Sequence, residues 1–208
     1  MYQLDTNQAR AADHRGGFIT ETGKYIGTFL RAEQITSQGG TKGIDFTFKA
    51  GDGRSCRFAL YTDKADGSQI KIGRNFVMAL LTCLKLREIT AAATKVKKWD
   101  ADANAEIEVS APCFAALMNK PIGVLLEAEE YEKRDGAIGK RMVLAGVFQA
   151  DTELTAGEIL DRKAVPAQLG KIVDTLRDRP LRVGKRPSQS PSSPAGTSFD
   201  DMDSDIPF

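Results

Sequence analysis

Polar and apolar positions alternate through much of the first third of the chain. Residues 25–35 are rich in β-branched and aromatic side chains, as a long strand requires. After the Ser37-Gln38-Gly39-Gly40-Thr41 turn, Ile44, Phe46 and Phe48 alternate with Asp45, Thr47 and Lys49. That period of two marks a half-buried strand with the phenylalanines facing inward. Gly51-Asp52-Gly53 is a hairpin turn. Cys56, Phe58 and Leu60 then alternate with Arg57, Ala59 and Tyr61, which completes a three-stranded meander.

The pattern then changes. Residues 75–84 are dense in helix formers and put Phe76, Leu80, Leu81 and Leu84 on one side, which predicts a helix. Residues 89–106 are rich in Ala and Lys and read as irregular, and residues 112–119 read as a short helix. Residues 122–131 and 142–148 predict a fourth and a fifth strand, joined by the loop around Arg134-Asp135-Gly136. Two short helices follow at 155–160 and 168–176, the second stopped by Pro180. From residue 184 to 198 the composition turns to Pro, Ser, Gly and basic residues, as in a linker. The organisation expected is a loose arm over 1–22, a mainly β domain with appended helices over 23–180, a linker over 181–198 and a tip over 199–208.

Composition narrows the classes. Of 208 residues, 41% are hydrophobic and 27% charged, enough to build a core of ordinary size. The net charge of +1 comes from 29 basic and 28 acidic residues. Four of the acids, Asp200, Asp201, Asp203 and Asp205, lie in the tip; without them the balance is 29 against 24, a body of +5. A basic body suits a polyanion, and an acidic tip can mimic one. Cys56, Cys83 and Cys113 are widely spaced, and His14 is the one histidine. No Cys-x-x-Cys occurs and their spacing does not suit a four-ligand zinc site, so buried thiols in a reducing compartment are the expectation. No metal or other cofactor is expected. With no apolar run near ~18 residues and no signal-peptide core in the polar first 15 residues, a soluble cytoplasmic protein is expected.

The chain ends Ser198-Phe199-Asp200-Asp201-Met202-Asp203-Ser204-Asp205-Ile206-Pro207-Phe208. It has no apolar period and no basic partner, so it lacks the means to offset its own ordering entropy. It can still be captured: Phe208 offers a ring and an α-carboxylate, and the aspartates suit a basic rim. Aspartates followed by Ile206-Pro207-Phe208 at the terminus resemble the acidic tip of bacterial single-stranded DNA-binding proteins. Three meander strands, a helix and a two-stranded hairpin are also the element order of an OB-fold barrel. The whole chain resembles a single-stranded DNA-binding protein of the OB-fold class, of bacteriophage type. The long insertion over 89–119 departs from the compact bacterial pattern and puts the usual tetramer in doubt.

The resemblance implies a five-stranded OB-fold-like barrel that holds single-stranded DNA with little sequence preference during replication, recombination and repair. It also implies a tip, Asp200, Asp201, Asp203, Asp205, Ile206, Pro207 and Phe208, that recruits replication or repair proteins. A homo-oligomer is compatible with it. A sequence-neutral binder needs cations along a groove and aromatic faces for stacking. OB-folds place this surface on strands two and three and the flanking loops. The candidates there are Arg31, Lys42, Lys49, Arg54, Arg57, Tyr61, Arg134, Lys140 and Arg141, with Trp99 beside Lys95, Lys97 and Lys98. Phe46 and Phe48 are expected in the core, and Trp99 reads equally well as a lid.

Two other classes compete. One is an adaptor that binds no DNA and uses the tip to occupy pockets on replication proteins. The other is a metal-dependent nuclease built on Glu127, Glu129, Glu130 and Glu132, the densest acidic group. Gly39-Gly40-Thr41-Lys42-Gly43 lacks the order and spacing of a phosphate-binding P-loop. The reading favoured is a binding protein, not an enzyme.

Overall fold

The computed structural model describes residues 17–100, 105–133 and 135–181, with the side chains of Trp99, Asp100 and Glu106 outside that description. The protein is mainly β. Seven antiparallel strands, β1 (Gly23–Thr36), β2 (Lys42–Ala50), β3 (Ser55–Asp63), β4 (Ala92–Asp100), β5 (Ala105–Cys113), β6 (Pro121–Glu132) and β7 (Ile138–Phe148), form one sheet. Helix α1 (Lys71–Cys83) lies between β3 and β4, and α2 (Ala156–Leu160) and α3 (Leu169–Thr175) follow β7.

β1 organises the sheet. Its first half pairs with β6, from Gly23↔Leu126 to Thr28↔Pro121, and it pairs with β2 from Gly27 onward. The register shifts between Phe29 and Arg31. Such a bulge bends a strand and raises its twist, and here it turns β1 from one partner to the other. β2 carries β3, and β6 carries β7. The two ends of this ladder, β3 and β7, face each other across a seam. No hydrogen-bonded pairing joins them among the described residues, so the sheet is not closed into a barrel.

The meander strands, α1 and the fourth and fifth expected strands all occur, within a few residues of their expected bounds. Phe46 and Phe48 are fully buried and pack with Phe29 and Phe58, Phe46 and Phe58 stacking at 5.4 Å between centroids. α1 starts four residues earlier than its sequence pattern, and its N-cap Ile70 makes no side-chain cap. What places that first turn is contact: a Cβ added at Gly73 would sit 1.7 Å from the Tyr61 carbonyl oxygen. Glycine alone lets the helix lie directly on the β3 backbone.

The insertion differs from expectation. Residues 92–100 and 105–113 are paired strands, β4 pairing β5 along its whole length, and residues 112–119 hold only one 3-10 turn, Ala115–Leu117. Ala and Lys are poor strand formers, and the hairpin rests on little apolar burial. Val96, Ala111 and Cys113 are buried there, with Val109 and Met118 against them. It is tied to the sheet at Glu33↔Cys113 and by Lys98 Nζ to Glu33 Oε1 at 2.7 Å.

The N-terminal arm ends sooner than its polarity suggests. Ile19 is buried, its N–H donates to the Ser55 carbonyl, and Ser55 N–H donates to Gly17. At the other end Arg179 N–H donates to Ala128 O, and Glu130 N–H donates to Arg179 O, which lays the last described residues along β6. The linker beyond residue 181, the tip and residues 1–16 lie outside the described residues.

Candidate nucleic-acid interface

Alternation along β3 sends Cys56, Phe58 and Leu60 into the core and leaves Arg57 and Ala59 exposed, with Tyr61 half-buried, as the period predicts. On β2 the same alternation should expose Asp45, yet Asp45 is only 3% exposed. Its carboxylate accepts from Arg31 Nη2 at 2.7 Å and from Arg57 Nε at 2.8 and 2.9 Å. Arg31 Nε also lies 3.7 Å from Glu33, which in turn holds Lys98. A chain of alternating charges thus crosses the outward face from β3 through β2 and β1 to β4.

This chain decides what the middle of the sheet can do. Arg31 is buried and already paired, so it is not an accessible phosphate ligand. The sequence candidates otherwise fall into separate groups. Lys42 and Lys49 are both exposed but stand at opposite ends of β2, about 23 Å apart at a rise of ~3.3 Å per residue. Arg54 bonds Asp52 in the β2–β3 turn and lies over the Tyr25 ring, 5.6 Å from its centroid. The Asp52 carboxyl is held below its ordinary range, first by the Arg54 backbone N–H and then by the Arg54 side chain. Tyr61 lies at the Lys42 end, opposite Gly43. Trp99 falls near the end of β4, and its side chain lies outside the described residues, as does Arg134.

Three candidates do converge. Arg57, Lys140 and Arg141 line one open cleft of about 350 Å³ at the seam between β3 and β7. Its floor is Ile19, Cys56 and Met142; Phe18, Thr20 and Tyr131 complete the walls. Arg141 Nε bonds Glu129 at 2.7 Å, and its guanidinium lies 5.7 Å from the Tyr131 ring centroid. Lys140 is exposed and makes no ion pair among the described residues.

Phe18 and Tyr131 were not among the expected residues. Phe18 is 79% exposed, although the backbone on either side of it is bonded to β3. Phe18 is one of nine large apolar side chains exposed among the described residues; what sets it apart is its place in the wall of this cleft. Phe18 lies within residues 1–22, the segment expected as a loose arm.

Three of the four acids on β6 are engaged. Glu127 accepts from Arg179, Glu129 from Arg141, and Glu130 from the Leu181 N–H. Among the described residues no group of three His, Cys, Asp or Glu side chains is placed to hold a metal ion. All three cysteines are buried with free thiols; burial pushes Cys56 up to about 12 and Cys83 to about 11. Among the described residues no helix is long and apolar enough to cross a membrane.

Neither a known family model nor any curated protein matches the sequence of this chain.

Proposed function

We propose that the protein binds single-stranded DNA with little sequence preference, through an OB-type body, and that its acidic tip recruits replication or repair proteins. One observation carries this reading: Arg57, Lys140 and Arg141 gather with Phe18 and Tyr131 around a single cleft. Cations and aromatic faces together are what a sequence-neutral single-strand site requires. The strand connectivity supports the OB-type assignment, since β1, β2, β3, β6 and β7 follow the five-strand order with a helix after the third. In this reading the open β3–β7 seam replaces the closing pair of a full barrel, and the β4–β5 hairpin is an insertion. The terminal aspartates with Ile206-Pro207-Phe208 support the recruiting role.

Bound strands should be shielded from nucleases. A labelled single strand incubated with the protein resists a single-strand-specific nuclease, and the protection fades as salt rises. Digestion at the rate of naked strand under low salt sinks the reading.

A second reading is an adaptor that works through the tip alone. It is favoured by the number of cations already committed to carboxylates: Arg57, Lys98 and Arg141 each hold one and Arg31 holds two. Nuclease digestion unaffected by the protein would move this reading to first place.

A further inference from the structure

The charge chain and the seam cleft together locate the contact more narrowly than the fold does. The centre of the β1–β2 face is internally neutralised and closed, with Asp45 and Arg31 both more than nine-tenths buried. Cations with room to engage a phosphate lie at the β3–β7 margin. There Arg57 keeps more than half of its side chain exposed while holding Asp45 through Nε, and Lys140 is exposed.

We infer that the β3–β7 cleft takes one unpaired nucleobase, stacked on Phe18, with the flanking phosphates on Arg57 and Lys140. The inference rests on the single-strand reading above. The cleft is lined for this division of labour. Its floor of Ile19, Cys56 and Met142 is apolar, with the hydroxyl-bearing Thr20 and Tyr131 in its walls, and the Phe18 ring can take the face of any base. Phe18 offers a ring whose backbone is fixed by the bonds at Gly17, Ile19 and Ser55, so little ordering entropy is lost when a base lands on it. The volume of about 350 Å³ lies near the lower end of small-ligand pockets, roughly 300–1,000 Å³. A base in a duplex is stacked and paired, so it reaches such a cleft only by being flipped out, which costs a few kcal/mol. The cleft therefore discriminates single strand from duplex by itself. The seam left open where a barrel would close is what makes the room.

The test compares the full-length protein with Phe18→Ala on labelled oligothymidine, and on an abasic strand of the same length, by fluorescence anisotropy. Phe18 is mostly exposed, so its truncation leaves the fold intact. Losing one base–aromatic stack should weaken oligothymidine binding roughly 5- to 150-fold. Abasic-strand binding should be unchanged, and Phe18→Trp should restore the oligothymidine affinity. Unaltered oligothymidine binding by Phe18→Ala overturns the cleft assignment while leaving the single-strand reading intact. An equal loss on both strands also overturns it, because the base is then not what Phe18 touches. Failure of the unmodified protein to bind either strand overturns the single-strand reading and the cleft with it.

Discussion

Replacing Asp45 with alanine should be among the most damaging single changes on the outward face. The side chain is 3% exposed and accepts three short contacts from two arginines. The partners differ in what they lose. Arg57 keeps much of its side chain in water and can rehydrate, so its half of the interaction contributes only about 0–1 kcal/mol. Arg31 is 8% exposed, and its Nε already lacks a hydrogen bond. Without Asp45 it retains only Glu33 at 3.7 Å, a buried cation left largely uncompensated. Removing one member of such a pair costs about 3–5 kcal/mol. With a urea slope of about 2 kcal/mol/M, the midpoint should fall by roughly 1.5–2.5 M. Arg57→Ala should move it by less than about 0.5 M. The double variant Arg31→Met, Asp45→Leu should recover most of the loss, since an apolar pair of similar volume replaces a buried ion pair at little cost. Equal midpoint shifts for Asp45→Ala and Arg57→Ala would refute the reasoning, because they would mean that the Arg31–Asp45 pair is as well solvated as the exposed one.

Further tests follow from the same geometry. Glu158 accepts from the N–H groups of Thr155, Ala167 and Gln168, and these bonds, the Thr155 N–H first, hold its carboxyl at about 2 instead of 4.5. A depressed folded-state value stabilises fully above about 4.5 and is lost as pH falls towards 2; Glu158→Gln should therefore melt well below the unmodified protein at pH 6, with the gap narrowing near pH 3, and a constant gap would contradict this. Lys140→Gln should weaken oligothymidine binding and reduce the slope of log K against log salt by about 0.7, one phosphate contact on a single strand; an unchanged slope would remove Lys140 from the site. Deleting residues 199–208 should abolish capture of tip-binding proteins while DNA affinity is retained or rises, and weaker DNA binding would argue against the tip as an anionic competitor.

The parts legible in the sequence are those where side-chain burial alone sets the structure. Phe46, Phe48, Cys56, Phe58 and Leu60 alternate with polar neighbours, and each is buried. Arg57 emerges on the opposite face for the same reason. The β4–β5 hairpin was not legible, because Ala92, Ala93, Lys95 and Lys97 are all exposed and hydrogen bonding to β5 sets their conformation. Burial of Arg31 and Asp45 was hidden as well. Period-two alternation places both residues outward; their partners come from three different strands, and only the assembled sheet brings Arg57, Asp45 and Arg31 into one network. Of the candidate site, Arg57, Lys140 and Arg141 are legible as cations on the expected loops and strands, and they meet at one cleft. Phe18 is not legible, since the two backbone bonds that fix its neighbours to Ser55 have no signature in a polar sequence.

The most direct measurement is fluorescence anisotropy of labelled oligothymidine and of a labelled duplex, each titrated with the full chain at low and moderate salt. The account predicts clear preference for the single strand, weakening as salt rises. Equal or tighter binding to the duplex would contradict it.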